Sequence, residues 1–192
     1  MREDKVMENT MPEKGSGSSK IVVVTGATSG IGLAVCRELA SRGYEIIGIG
    51  RDDERCRRAV LELKRNVFRQ PIACFCGDLM QQSEVFRLGA EIRGYLDEHG
   101  AGRLHALINN AGCVRSYYAT TEEGYEQQFA LNHLSGFLLT HILMPYLVNG
   151  RGRVLMTSSG SHRMMRMRWN DIMFKRGYNP LLAYKQSKLC NV

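Results

Sequence analysis

Short β-branched runs alternate with longer amphipathic stretches along nearly the whole chain, and this alternation constrains the fold more than any other feature. The series opens with KIVVVT at residues 20–25, an apolar run that predicts a strand buried on both faces. Helical spacing follows over residues 31–42, with Ile31, Val35, Leu39 and Ala40 along one side. The pattern then predicts strands over residues 45–50, 71–76, 104–109 and 153–158. It predicts helices over 53–65, 83–98 and 121–148, and a last one from Leu181. Strict strand–helix alternation requires parallel strands joined by right-handed helical crossovers. The expected fold is therefore α/β, a doubly wound parallel sheet of Rossmann type.

The 192 residues suffice for one domain with a sizeable core and leave little room for a second. No segment approaches the roughly 18 uninterrupted apolar residues of a membrane span. Residues 1–19 are charged and then run into Gly15-Ser16-Gly17-Ser18-Ser19, which predicts a flexible polar tail ahead of a domain at 20–192. Without the apolar segment of a secretory signal, a cytoplasmic location is expected. The six cysteines (Cys36, Cys56, Cys74, Cys76, Cys113, Cys190) form no CxxC pair and no paired zinc-ligand spacing, so reduced thiols and no metal are expected. Net charge is +7, with a local excess where Arg163, Arg166, Arg168, Lys175 and Arg176 face only Asp171. No nucleic-acid motif accompanies it, so nucleic acid is not an expected partner. The loop is read as solvated or as facing an anionic ligand.

TGATSGIG at residues 25–32 joins the first strand to the first helix, with Gly26, Gly30 and Gly32 in a GxxxGxG spacing. Glycines there permit a tight turn and close backbone approach, and the helix N-terminus offers unpaired N–H groups to a pyrophosphate. At the end of the second strand, Gly50-Arg51 stands where an NAD-binding chain usually carries an acid for the ribose hydroxyl. Arg51 can instead pair bidentately with a 2′-phosphate, so NADP(H) is favoured over NAD. The alternative for Arg51 is a solvated arginine partly neutralised by Asp52 and Asp53. Tyr184 and Lys188 form YxxxK on one helix face, where an ammonium near a phenol lowers a pKa that is ordinarily about 10.

These stations, in this order, resemble the short-chain dehydrogenase/reductase family. The resemblance covers residues 20–192 and implies a nicotinamide cofactor held by Gly26, Thr28, Ser29, Gly30, Ile31 and Gly32. It further implies contacts from Arg51, the adenine-contacting pair Asp78 and Leu79, the NNAG residues Asn110, Ala111 and Gly112, and Tyr184 and Lys188. The implied catalytic residues are Asn132, Ser159, Tyr184 and Lys188. Tyr184 would protonate a carbonyl oxygen that Ser159 orients, Lys188 would tune Tyr184, and Asn132 would hold a relay water. Ser159 is preferred to Ser158 because the family's strand motif ends in two serines, of which the second acts. Trp169-Asn170-Asp171-Ile172 and LAYKQSKLCNV are similar to the retinol-dehydrogenase-like branch.

The family continues beyond YxxxK, whereas this sequence ends four residues after Lys188. The sheet is accordingly expected to be incomplete on its C-terminal side, and the 192-residue chain a weak catalyst. Two readings stand. One is an oxidoreductase acting on a small-molecule carbonyl or alcohol, apolar if Met164, Met165, Met167, Trp169, Met173 and Phe174 face it. The other is a catalytically impaired dinucleotide-binding or interaction protein. Substrate identity and self-association as a homo-oligomer stay open.

Overall fold

A computed structural model describes residues 20–65 and 70–192; the polar tail expected over residues 1–19 lies outside them. Five strands, β1 (Ile21–Thr25), β2 (Glu45–Gly50), β3 (Ile72–Cys76), β4 (Ala106–Asn109) and β5 (Arg153–Met156), form one parallel sheet in the order β3-β2-β1-β4-β5. The helices are α1 (Gly30–Ser41), α2 (Asp53–Arg65), α3 (Gln82–His99), the short α4 (Gln127–Phe129), α5 (Ser135–Gly150) and α6 (Pro180–Leu189). The strand order reverses between β1 and β4. In open α/β sheets the crevice at such a point, outside the strand C-terminal ends, is where ligands bind.

The unbroken apolar run of β1 follows from the layers above and below it. Ile21 and Val23 point into a core with α3 and α5, through Leu88, Ile92, Leu139 and Leu143. Val22 and Val24 point the other way, into a core with α1 and α2 through Cys36, Ala40 and Leu63. Alternate side chains of a strand face opposite sides, so a strand between two helical layers needs no polar position. β5 differs: it is the sheet edge, and Val154 and Leu155 are 40% and 47% exposed. Among the described residues no helix is long and apolar enough to cross a membrane.

Two expectations are corrected. α1 packs Val35, Leu39 and Ala40 of the expected side against the core, together with Gly32 and Cys36, but Ile31 is 71% exposed. The first turn of α1 is held by backbone contact, since a Cβ on Gly32 would lie 2.2 Å from the Gly26 carbonyl oxygen. The long helix starts at Gln127 rather than residue 121. Residues 121–125 close a turn through Thr121 N–H to Tyr125 O (2.8 Å) with Gly124 at φ +85°. Glu126 then caps the helix, its carboxylate accepting from Phe129 N–H at 2.7 Å. The same helix is interrupted by a π turn over Ala130–Leu134, so it reaches α5 as three joined pieces.

Candidate active site

The C-terminal ends of β1, β4 and β5 and the start of α1 meet around the glycine loop. Thr25, the last residue of β1, uses its hydroxyl to accept from Asn110 N–H and Ala111 N–H, both at 2.9 Å. Its carbonyl accepts from the Asn110 side-chain amide at 3.1 Å. The NNAG turn is thereby fastened to the phosphate loop. Gly26 has φ +67°, and a Cβ there would crowd Ala111 Cα at 3.1 Å, so glycine is required on two counts. Gly30 has φ +54° and faces open space, with Ser29 and Ile31 beside it exposed and Thr28 partly exposed. No side chain caps α1 and no acid lies in its first turn, so its positive end is free to meet an anion.

Arg51 is exposed at the end of β2. Its acidic neighbours are occupied elsewhere: Asp52 accepts from Arg55 N–H at 2.8 Å, and Asp53 pairs with Arg57 at 3.4 Å. Neither carboxylate makes an ion pair or hydrogen bond with Arg51. Asp78 folds into a tight turn, its carboxylate accepting from Met80 N–H at 3.0 Å, and Leu79 beside it is buried. An open helix N-terminus and a turn where side chains would intrude fit the pyrophosphate of a dinucleotide, with the exposed Arg51 beyond them.

The second cluster joins β5, the π turn and α6. Asn179 caps α6 through Leu181 N–H (3.1 Å) and Leu182 N–H (3.0 Å), with Pro180 as the first helical residue. Tyr184 and Lys188 lie one turn apart on that helix, with the Lys188 ammonium 5.8 Å from the Tyr184 ring centre. Lys188 is buried; its Nζ donates to Thr157 O at 3.0 Å, and a Cβ on Gly112 would lie 3.2 Å away. Burial pulls its pKa below the ordinary lysine value, with the Cys113 thiol acting weakly the other way. The Tyr184 hydroxyl has no hydrogen-bond partner among the described residues and is half-buried.

The two serines are separated by their hydrogen bonds. Ser158 donates its proton to Lys188 O at 2.7 Å and so ties the end of β5 to α6. Ser159 is an acceptor, from Ser161 N–H at 3.2 Å and Ser161 Oγ at 3.0 Å, which leaves its own proton uncommitted. Asn132 sits in the π turn and is buried. Its Oδ1 accepts from Cys113 N–H at 2.7 Å, and its Nδ2 donates to Cys113 O (3.0 Å) and Ser187 Oγ (2.9 Å). Both amide protons are spent on clamping the residue after NNAG to α6, so one lone pair of Oδ1 is all its side chain retains for a water.

Three contributors were not anticipated from the sequence. Ser187 receives Asn132, and Asn191 donates to the Asn132 carbonyl at 2.7 Å while its Oδ1 lies 2.9 Å from His133 Nδ1. Gln186, buried, holds the basic loop: its Oε1 accepts from Arg168 N–H (2.8 Å) and its Nε2 donates to Ile172 O (2.8 Å). Their only signal in the sequence was adjacency to YxxxK. In the loop itself, Phe174 is buried under the Arg168 guanidinium, 4.1 Å from the ring centre, whereas Met164 and Trp169 are exposed.

The short chain dehydrogenase family pattern matches residues 20–170. The chain belongs to that family. Within it, the sequence is similar to the retinol dehydrogenases: it is 36% identical to retinol dehydrogenase 11 of Homo sapiens over 174 residues, covering 90% of this chain and 53% of that protein. The chain thus spans about half the length of the curated relatives it matches. Among solved structures it is similar to an uncharacterised protein from Mycobacterium paratuberculosis, 34% identical with TM-score 0.73, covering 91% of this chain and 59% of that one. It is also similar to a metagenomic short-chain oxidoreductase in complex with NADP, 25% identical with TM-score 0.69, covering 90% and 70%.

Proposed function

We propose that this chain carries the cofactor-binding and proton-transfer residues of an NADP(H)-dependent oxidoreductase that interconverts a carbonyl compound and its alcohol. The observation that carries the reading is the pairing of an open, glycine-lined helix N-terminus with a buried lysine beside a tyrosine whose hydroxyl is free among the described residues. When bound, the nicotinamide supplies or accepts the hydride. The residues that would hold the cofactor are Gly26, Thr28, Ser29, Gly30, Ile31 and Gly32 at the pyrophosphate, and Arg51 at the 2′-phosphate. Asp78, Leu79, Asn110, Ala111, Gly112, Tyr184 and Lys188 would line the remainder. The exposed Arg51, with its neighbouring acids engaged elsewhere, supports NADP(H) over NAD(H), as does the NADP named with the metagenomic oxidoreductase.

In the reduction direction Tyr184 gives its proton to the carbonyl oxygen, and the free proton of Ser159 holds that oxygen in place. The Lys188 ammonium stabilises the phenolate left on Tyr184, because a positive charge nearby favours the charged form of a phenol. Asn132 keeps Cys113 and Ser187 in register, so that the NNAG turn and α6 stay at a fixed separation. The retinol dehydrogenases among the relatives support an apolar aldehyde or alcohol as substrate. The test is NADPH consumption with retinal and with short and long aliphatic aldehydes, each compared with Tyr184→Phe. Turnover that the phenylalanine variant retains would remove Tyr184 from the chemistry. Tight NADPH binding without any turnover would instead support a dinucleotide-binding or interaction protein.

A further inference from the structure

Tyr184 lies in the middle of α6, so its position depends on what holds the two ends of that helix. The C-terminal half is tied down by Asn132 to Ser187 and by Ser158 to the Lys188 carbonyl. The N-terminal end is held by three residues outside the chemistry described above: Glu126, Gln128 and Tyr178. Gln128, in α4 and fully buried, spends its amide group on two acceptors, the Tyr178 hydroxyl at 2.8 Å and the Pro180 carbonyl at 3.1 Å. Pro180 is the first residue of α6, and by helix geometry its carbonyl also accepts from the N–H of Tyr184, four residues on. Gln128 thus grips the same carbonyl to which the Tyr184 backbone is bonded.

The Tyr178 hydroxyl in turn donates to Glu126 Oε1 at 3.1 Å, while Glu126 Oε2 accepts from Phe129 N–H at 2.7 Å. Glu126 is 2% exposed and makes no ion pair among the described residues. A carboxylate buried without a cation is costly unless its oxygens are hydrogen-bonded, so neither bond is readily given up. A helix cap by itself needs one oxygen and no burial; here the second oxygen is committed to Tyr178. Burial pushes the Tyr178 phenol up to about 12, the Gln128 hydrogen bond acting the other way and the Glu126 charge adding to the rise. Its hydroxyl therefore stays protonated, and a donor to Glu126, at neutral pH. The Tyr178 ring packs edge-on against Tyr118, centroids 5.4 Å apart, which brings the segment after the NNAG turn to the same point.

We propose that Glu126, Gln128 and Tyr178 are positioning residues for the proton transfer, fixing through α6 where the Tyr184 hydroxyl stands. That role rests on the reading of Tyr184 as the proton donor given above. The Tyr184 hydroxyl has no partner of its own among the described residues, so backbone placement decides its aim. Misplacement of a reacting group by about 1 Å can cost about 10²-fold in rate. A trio that only stabilised the fold would cost the same with or without the Tyr184 hydroxyl. One that acts through Tyr184 costs nothing further once that hydroxyl is gone.

The experiment makes Tyr178→Phe and Gln128→Leu in the full chain, each alone and combined with Tyr184→Phe, and follows NADPH oxidation by decanal. Each single variant should lower kcat by about tenfold or more, with KM for decanal and NADPH affinity unchanged. Neither should lower the residual rate of Tyr184→Phe any further. An unchanged kcat, or equal losses in both backgrounds, would overturn the proposal. Hydrogen exchange reads the same claim without turnover. Amides of residues 183–187 should exchange about fivefold faster or more in either variant, while those of β1 and α1 keep wild-type protection. Unchanged protection in α6, or a matching loss in β1 and α1, would overturn it. A wild-type chain that turns over no decanal would count against the reading of Tyr184. The exchange result would then still decide whether the trio holds α6.

Discussion

The glycine cradle and the corner that holds Tyr184 and Lys188 lie at the C-terminal ends of the strands of one sheet but are built by different means. Around the cradle the backbone does the shaping: Gly32 touches the Gly26 carbonyl, Thr25 grips two successive N–H groups, and the α1 N-terminus is left bare. The corner is assembled from side chains reaching over long stretches of sequence. Asn132 binds Ser187, Ser158 binds Lys188 O, and Asn191 binds Asn132 O, joining an interrupted helix, an edge strand and a ten-residue helix. The glycine contact holds wherever β1 and α1 are formed, and the Thr25 contacts require only the turn after β4 in addition. The corner's contacts depend on three elements being placed correctly at once, and a shift in one is felt by all. Cofactor binding should therefore tolerate perturbations that abolish turnover.

The sharpest way to separate the two regions is Tyr184→Phe. It should lower turnover by about 10²–10⁴-fold, the usual contribution of a positioned proton donor, with NADPH affinity unchanged. Equal losses in both would merge the two regions into one. On the cradle side, Arg51→Ala should weaken NADPH by about 1.5–3 kcal/mol, the range for a hydrogen bond to a charged group, and leave NADH as it was. Parallel calorimetric titrations would read this, and an equal loss for both dinucleotides would mean that Arg51 acts on the fold and not on the phosphate.

Gly32→Ala tests the claim that backbone contact shapes the cradle. The added methyl would lie 2.2 Å from Gly26 O and 2.7 Å from Asn110 Nδ2, and overpacking of this kind costs about 1–3 kcal/mol. Denaturant unfolding and NADPH titration should both register it. An alanine variant with wild-type values in each would show that the loop has slack the geometry denies. The smallest effect is expected at the helix carrying Tyr184 and Lys188. Asn179→Ala removes two capping hydrogen bonds and should cost about 1 kcal/mol in stability. If the corner is as interdependent as described, turnover should fall by more than that loss alone predicts.

The same contrast governs what was legible in the sequence. All five strands and the doubly wound architecture could be read, because short apolar runs alternate with amphipathic stretches; the exposure of β5 at the sheet edge could not. The glycine loop could be read too, since its spacing acts locally. The start of the long helix could not: TTEEG is compatible with helix, and only the turn at Gly124, with φ +85°, together with the Glu126 cap, delays it. The exposure of Ile31 was hidden: the rest of its apolar side packs as the periodicity suggests, while the Gly32–Gly26 contact holds the first turn of α1 against the loop with Ile31 outward. The π turn that carries Asn132 and the partners Ser187, Gln186 and Asn191 left no periodic trace. Their meaning lies in residues more than ten positions away.

The central claim is that a phosphate-reading cradle survives in this chain, and a calorimetric titration of residues 1–192 with NADPH and with NADH, under reducing conditions, tests it most directly. The account predicts saturable binding of NADPH that exceeds NADH by about tenfold or more, the equivalent of one phosphate contact. Equal affinities, or no binding of either dinucleotide, would contradict it.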